Sequence, residues 1–298
     1  MTTLTQQAEA FVSGLQNRRR SPVKPSTIVR YRSNIKNHIV PAIGFMDMFG
    51  IDNAVMKNFG DVLVDKKLSP KSILEVVVLA KQIIRSAVDE RGNELYPKTW
   101  NFRFIDLPPV EGQKQPMLTQ EQLKAAIQDE RYGLFYALLA GTGMRVGEAQ
   151  ALRYGIDGKK TGWNPSLGLV DVRSSIWRDQ EWAPKTPAAV RQIDVHPALC
   201  SALKTYVSSK GIKMSDFLFP SNESRIRRNS LTPLGIEGFH AFRRFRTTHL
   251  REQGAPEDLI RYWIGHTGTG MTDRYSKMAQ NVELRKIWVS KAGLGFEL

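Results

Sequence analysis

The sequence is poor in most of the features that would give it a quick assignment. It holds a single cysteine, Cys200, in 298 residues. No intramolecular disulfide or Cys-based zinc site can form, and a reducing cytoplasm suits such a chain. In "HPALCSALKTYV" that cysteine reads as a helix-packing residue. Long apolar runs are also missing. The longest, residues 73–84, is interrupted by Glu75 and Lys81 and is too short to span a bilayer. The opening "MTTLTQQAEAFV" does not place a basic stretch before an apolar one, so no signal peptide is expected. Internal repeats, low-complexity tracts and a clear carboxylate triad for metal-dependent strand transfer are likewise not found. Acidic residues are scarce. Asp and Glu total 29 against 43 Lys and Arg, a net charge of +14. That excess favours a polyanionic partner, nucleic acid ahead of an anionic membrane.

The pattern along the chain divides near residue 112. Residues 5–107 read as mostly helical. Ala8, Phe11, Val12 and Leu15 form one helical stripe, and Ser26 or Thr27 could cap a second helix carrying Ile28, Tyr31 and Ile35. "SPKSILEVVVLAKQIIRSAVDERG" has a Ser-Pro start and enough apolar residues for the central helix of a small bundle. "DLPPVEGQKQPM" then reads as a linker. Thr119 and Gln122 are spaced as a capping box opening the next helix. Residues 131–154 suggest two helices parted by Gly141-Thr142-Gly143. After them the period shortens to that of strands over 167–177, 181–185 and 191–195, a small antiparallel sheet. Helices resume at Pro197, with a break around 219–235. The expected fold is mainly α: a helical N-terminal domain, 1–112, and a mixed α+β domain, 113–298.

Four clusters could carry chemistry. In "GTGMRVGEAQAL", Arg145 follows a glycine break at a helix start, where it could meet a phosphate or simply pair with Glu148. In "APKTPAAVRQIDV", Lys185 lies where a strand gives way to a loop. It could reach into a groove, donate a proton, or be merely solvated. In "GFHAFRRFRTTHLREQG", His240 and Arg243 share a helix face with Thr247, while Phe242, Phe245 and Leu250 can face the core. That face is a phosphate clamp or a plain basic surface. In "WIGHTGTGMTDRYSK", His266 sits at a glycine-marked turn and Tyr275 nine residues on. The tyrosine is a half-buried ring or a nucleophile. Taken together these residues are what phosphoryl transfer to a tyrosine requires. Arginines and histidines can hold the phosphate oxygens as charge develops. A phenol of pKa about 10 is only roughly one-thousandth ionised at neutral pH and needs a base or a strongly cationic pocket. The departing sugar oxygen needs an acid, a role for Lys185. So much fixed positive charge would make a metal unnecessary.

With those boxes in order, the sequence resembles the tyrosine recombinases of the phage integrase type, most specifically over 138–278. "AGTGMRVGEAQAL" resembles the first-arginine box, with Glu148 in support. "PKTPAAVRQIDV" resembles the lysine hairpin, followed by the usual basic position, Arg191. "HAFRRFRTTHL" resembles the His-x-x-Arg box, with Phe242 where the family usually has Leu. The last box supplies His266 and the nucleophile Tyr275. The resemblance implies site-specific recombination: a core-DNA-binding domain and a catalytic domain closing as a C-shaped clamp on duplex DNA. It implies a 3′-phosphotyrosine link, a free 5′-hydroxyl, and strand exchange through a four-way junction within a tetramer assembled on DNA. No high-energy cofactor is implied. Accessory DNA-bending proteins of host or phage are further candidate partners, and the bacterial cytoplasm is the implied location. A catalytically silent DNA-binding regulator and a type IB topoisomerase-like enzyme are the competing readings. Lys71 in "SPKSILE" and Arg191 are candidate DNA contacts. "SRIRRN" (224–229) reads as a DNA-facing or simply charged loop, and no arm-site-binding domain is expected ahead of residue 1. The tail from Leu284 could dock on a neighbouring protomer or pack on its own domain.

Overall fold

The computed structural model describes residues 2–20, 23–112, 115, 117–184, 189–219, 222–266 and 278–298. The chain forms two compact units, Met1–Lys114 and Gln115–Leu298. Among the described residues no helix is long and apolar enough to cross a membrane.

Among the described residues the regular elements of the first unit are helices, with two isolated β-bridges, Thr3 to Asp47 and Val88 to Glu94. α1 (Leu4–Gln16) starts on a capping box between Thr3 and Gln6 and buries Leu4, Ala8 and Val12. α2 (Pro25–Asn34) begins two or three residues earlier than a Ser26 or Thr27 cap would place it. Lys24 takes the N-cap and Pro25 fills the first helical position, where its missing N–H costs nothing. α2 runs through a π-helical turn, Ile35–Ile39, into α3 (Val40–Ile43). Pro41 lies just past that turn and cannot donate to the carbonyl of Asn37. The Lys66 ammonium donates to that carbonyl instead, at 3.3 Å. α4 (Asn53–Asp65) is capped by Asp52, and α5 (Pro70–Arg85) by Ser69 with Pro70 at the first position. α5 buries Ile73, Val76, Val77, Ala80, Ile83 and Ile84, the three-and-four spacing of a central helix. A short α6 (Phe102–Ile105) follows.

The second unit is mixed. α7 (Gln120–Ile127) carries the expected Thr119–Gln122 capping box. α8 (Gly133–Thr142) is apolar on all sides and every residue except Leu134 is buried, so it is the core helix. Gly143, at φ +68°, ends it, and α9 (Val146–Gln150) starts three residues later. A Cβ on Gly143 would lie 2.5 Å from Ile264 Cδ1, so glycine is needed there for conformation and for space.

The strands differ from the expected single antiparallel sheet in number, in pairing and in forming two sheets. β1 (Arg153–Tyr154), β2 (Gly162–Asn164), β3 (Leu169–Val172) and β6 (Arg191–Asp194) form one sheet in the order β1-β2-β3-β6, and β1 pairs with β2 in parallel. β4 (Ser175–Trp177) and β5 (Gln180–Trp182) form a separate hairpin. β1 and β2 are two and three residues long, too short for an alternation to register.

α10 (Pro197–Lys210) follows the sheet. The segment around "SRIRRN" is helical, not a loop: Asn222 caps α11 (Glu223–Ile226), which continues as a π-helical turn, Arg227–Leu231. α12 (His240–Glu252) lies against α8, with the Tyr136 and Phe242 rings stacked 5.2 Å apart. The phenylalanine at that position therefore fills an aromatic contact. α13 (Glu257–Ile264) packs on α12 and β6, and α14 (Val282–Ala292) packs on β6. Val289, Ala292 and Leu294 join the core of the second unit, so the tail packs on its own unit here.

Candidate active site

The centre of the site is the C-terminal turn of α13. The last carbonyls of a helix have no intrahelical donor and carry its negative dipole end. Here three arginines from three different elements supply the donors. Arg191, first residue of β6, gives Nε to the Trp263 carbonyl at 2.6 Å. Arg243, in the first turn of α12, donates to the Ile264 carbonyl. Arg145, N-cap of α9, reaches the Gly265 carbonyl at 3.5 Å. Gly265 closes the helix at φ +69°, and a Cβ there would come within 2.9 Å of the Arg191 side chain. No other residue fits both the backbone and the space.

Glu148 balances this charge. It is buried on α9 and binds two of the arginines. Arg145 donates through Nη1 at 2.8 Å and through its backbone N–H at 2.9 Å. Arg191 donates to both carboxylate oxygens, at 3.2 and 3.0 Å. Burial pushes the Glu148 carboxyl up, but Arg191 and Arg145 outweigh it and hold the group below the usual carboxylate range. The i, i+3 pair seen in the sequence is thus two members of a three-membered cluster.

The arginines differ in exposure. The Arg145 side chain is 40% exposed, and that of Arg191 is fully enclosed, with its remaining Nη1 bond going to the Ala189 carbonyl. Sequence alone suggested Arg191 as a DNA contact. In the fold its fork is spent on Glu148 and backbone carbonyls, and no part of the side chain reaches solvent. Arg243 is also buried, and its Nη1 donates to the Gly143 carbonyl at 2.9 Å. Burial, then the facing charges of Arg145 and Arg191, push its guanidinium below the usual arginine value, with Glu148 opposing.

His240 and His266 are exposed at the edge of this cluster. Partial loss of water lowers the pKa of His240, and Arg243, Arg244 and Arg145 lower it further. His266 is lowered in the same way by desolvation and by Arg243, Arg145, His240 and Arg191. The fold therefore brings Arg145, Glu148, Arg191, His240, Arg243 and His266 together. Lys185 and Tyr275 lie outside the described residues. Lys71 is an exposed residue in the first turn of α5, in the other unit.

Several supports were not foreseen. Asp194 accepts from Trp263 Nε1 and from Arg285 Nε, both at 2.8 Å, tying α13 and α14 to β6. Arg246, buried on α12, donates to the Gly293 carbonyl at 2.7 Å. Their signal in the sequence is a cation on an apolar stripe: Arg285 with Val289 and Ala292, Arg246 with Phe242 and Leu250. Among the described residues no three His, Cys, Asp or Glu side chains gather as a metal would require.

The chemical capacity of the cluster is clear. It offers an exposed guanidinium, a buried one pinned behind it, and two imidazoles whose pKa is lowered by burial and by the neighbouring arginines. That set can hold a phosphodiester and accept a proton.

Known proteins share the sequence family and the fold. Residues 116–281 match the phage integrase family model, and residues 15–63 match the phage integrase N-terminal SAM-like domain. A curated relative, a tyrosine recombinase XerC-like protein of Caldanaerobacter subterraneus subsp. tengcongensis, is 22% identical and covers 84% of this chain and 73% of its own. Among solved structures, a Tn1549 transposon integrase in complex with a circular intermediate DNA superposes with a TM-score of 0.71. It has 18% identity and covers 96% of this chain and 100% of its own. A lambda integrase dimer bound to a COC′ core site gives 0.63 at 17% identity, over 94% and 97%. The family match spans more than half of the sequence and includes all four boxes, and the chain belongs to the phage integrase family of tyrosine recombinases.

Proposed function

We propose that this chain is a site-specific recombinase that cuts and rejoins duplex DNA through Tyr275. The supporting observation is the convergence of Arg145 and Arg243 on one helix end, with His240 and His266 at its edge and Glu148 and Arg191 behind. In the proposed reaction the scissile phosphate is held by Arg145 and Arg243. The Tyr275 oxygen forms a bond to phosphorus, and its proton passes to a neutral imidazole, His240 or His266. The bond from phosphorus to the 5′-oxygen breaks, and Lys185 protonates that oxygen as it leaves. A 3′-phosphotyrosine and a free 5′-hydroxyl result. The 5′-hydroxyl of a partner strand then reverses the sequence. The covalent link conserves the bond energy, so no high-energy cofactor enters. The arginines matter most where negative charge grows on the phosphate.

The proposed assignment gives residues 1–112 to core-DNA binding, with Lys71 on a phosphate, and residues 113–298 to catalysis. Arg191 acts through Glu148 and Trp263 as a positioning residue. By likeness to the lambda integrase, solved as a tetramer on a Holliday junction, the working form is a homotetramer on DNA, in the cytoplasm of a bacterial host.

The test is a trapping assay in EDTA on nicked or supercoiled DNA of the element that encodes the chain. An adduct surviving denaturing electrophoresis in wild type, and none in Tyr275→Phe, is the expected result. An adduct in both moves the nucleophile elsewhere. Tight binding with no adduct favours a silent DNA-binding regulator, and sequence-independent relaxation of supercoils favours a topoisomerase.

A further inference from the structure

His266 and Met278 are the described residues on either side of 267–277. The carbonyls of Trp263, Ile264 and Gly265 are held by Arg191, Arg243 and Arg145, as above. The carbonyls of Met278 and Ala279 are held by another arginine. Arg285, on α14, is fully enclosed. Its Nη1 donates to the Ala279 carbonyl at 2.6 Å and to the Met278 carbonyl at 3.3 Å. Its other donors fix it to the sheet: Nε to Asp194 at 2.8 Å and Nη2 to Gln192 Oε1 at 3.2 Å. Its guanidinium also lies over the ring of Tyr262 on α13, 5.3 Å from the centroid, and Nη1 is 3.3 Å from the Tyr262 hydroxyl. That hydroxyl accepts from the Gln192 backbone N–H as well.

Both anchors therefore rest on β6, the fully described strand Arg191–Asp194. Its first residue holds the end of α13, and its last, through Arg285, holds the chain three residues past Tyr275. A buried guanidinium with every direction bonded is a rigid part, because moving it would break charge-assisted bonds in a water-free setting.

We propose that Arg285, fixed by Asp194, is a positioning residue for strand cleavage: it sets where the nucleophile-bearing segment rejoins the catalytic unit, and so the reach of Tyr275 to phosphorus. This rests on the assignment of Tyr275 as nucleophile. Placement errors near 1 Å cost about a hundredfold in rate, and lysine at 285 can reach one or two of these acceptors but cannot span all of them.

The experiment measures the first-order rate of covalent adduct formation on nicked DNA at saturating protein, with DNA affinity and thermal stability measured in parallel. Arg285→Lys should slow the rate by about tenfold to a hundredfold while affinity stays within about twofold. Asp194→Asn and Tyr262→Phe should slow it by smaller factors, and they decide the matter if Arg285→Lys does not fold. The deficit should persist on DNA with a 5′-bridging sulfur, whose leaving group needs no acid, because the fault lies in the nucleophile. Unchanged rates in the folded variants would overturn the proposal. So would a loss matched by weaker DNA binding, or full recovery on the sulfur substrate. An adduct in Tyr275→Phe would instead overturn the nucleophile assignment itself.

Discussion

Each unit buries a cation, and the two do so by opposite means. In the first unit Lys81 projects from α5 into a sealed setting. Its ammonium has no hydrogen-bond partner among the described residues and faces the Phe102 ring at 3.6 Å and the Trp100 ring at 5.1 Å. Desolvation pulls its pKa down to about 8. In the second unit Arg191 and Arg285 are enclosed as completely, yet each is bonded to a carboxylate and to backbone carbonyls. Aromatic faces attract a cation but do not replace its water hydrogen bonds. Carboxylates and helix-end carbonyls do. The first arrangement tolerates a neutral group; the second makes the charge part of the framework.

The comparison is broken most directly by replacing each cation with methionine. Arg191→Met should cost about 3–5 kcal/mol in urea unfolding of the full chain, because Glu148 stays buried with one partner fewer. Lys81→Met should leave stability near wild type or raise it. A large loss at Lys81 would show that the rings hold a charge as firmly as carbonyls do.

Catalysis gives the next effect in size. Arg243→Lys keeps the charge but loses the fork joining the Gly143 and Ile264 carbonyls, and adduct formation should fall by about 10²–10³ with folding preserved. A rate within about threefold of wild type would reduce Arg243 to a point charge.

The ammonium can also be titrated in place. Its pKa is lowered in the folded chain, to about 8 from 10.5, so between those values the unfolded chain binds more protons. Stability should therefore rise with pH across that window, by at most ~3 kcal/mol, and the rise should vanish in Lys81→Met. Equal slopes in both proteins would show that Lys81 stays hydrated.

Gly265→Ala probes the turn on which the arginines converge. The positive φ and the contact with Arg191 predict a loss of roughly 1–3 kcal/mol in the same unfolding measurement. The smallest effect belongs to the exposed imidazoles. Both histidines are lowered below their ordinary 6.5, so any acid-side decline of adduct formation that they cause should be centred below that value. A decline centred at 6.5 would mean that the arginines do not reach them.

Much of this was legible from the chain. Gly143 and the spacing of Arg145 and Glu148 announced a helix start, and His240 and Arg243 announced a shared face. Those are local rules of turn and period. The sequence also named Lys185 and Tyr275 by their place in recognisable boxes. It misread 224–229 as a loop, because charged residues on a short helix leave little apolar pattern. It also gave Arg191 as a candidate DNA contact from its place after the lysine hairpin, and its partners Glu148 and Trp263 lie too far along the chain to be read locally.

Composition, period and the order of the four boxes determined a two-part, mainly helical DNA-acting chain and its reactive residue types. Only tertiary structure decided which cations are free to meet a phosphate and which are spent holding the fold. That choice depends on residues 40 to 120 positions apart meeting at one helix end, as Arg191 with Glu148 and Arg145 with Gly265 do. Burial then turns each such meeting from a weak surface attraction into a fixed bond.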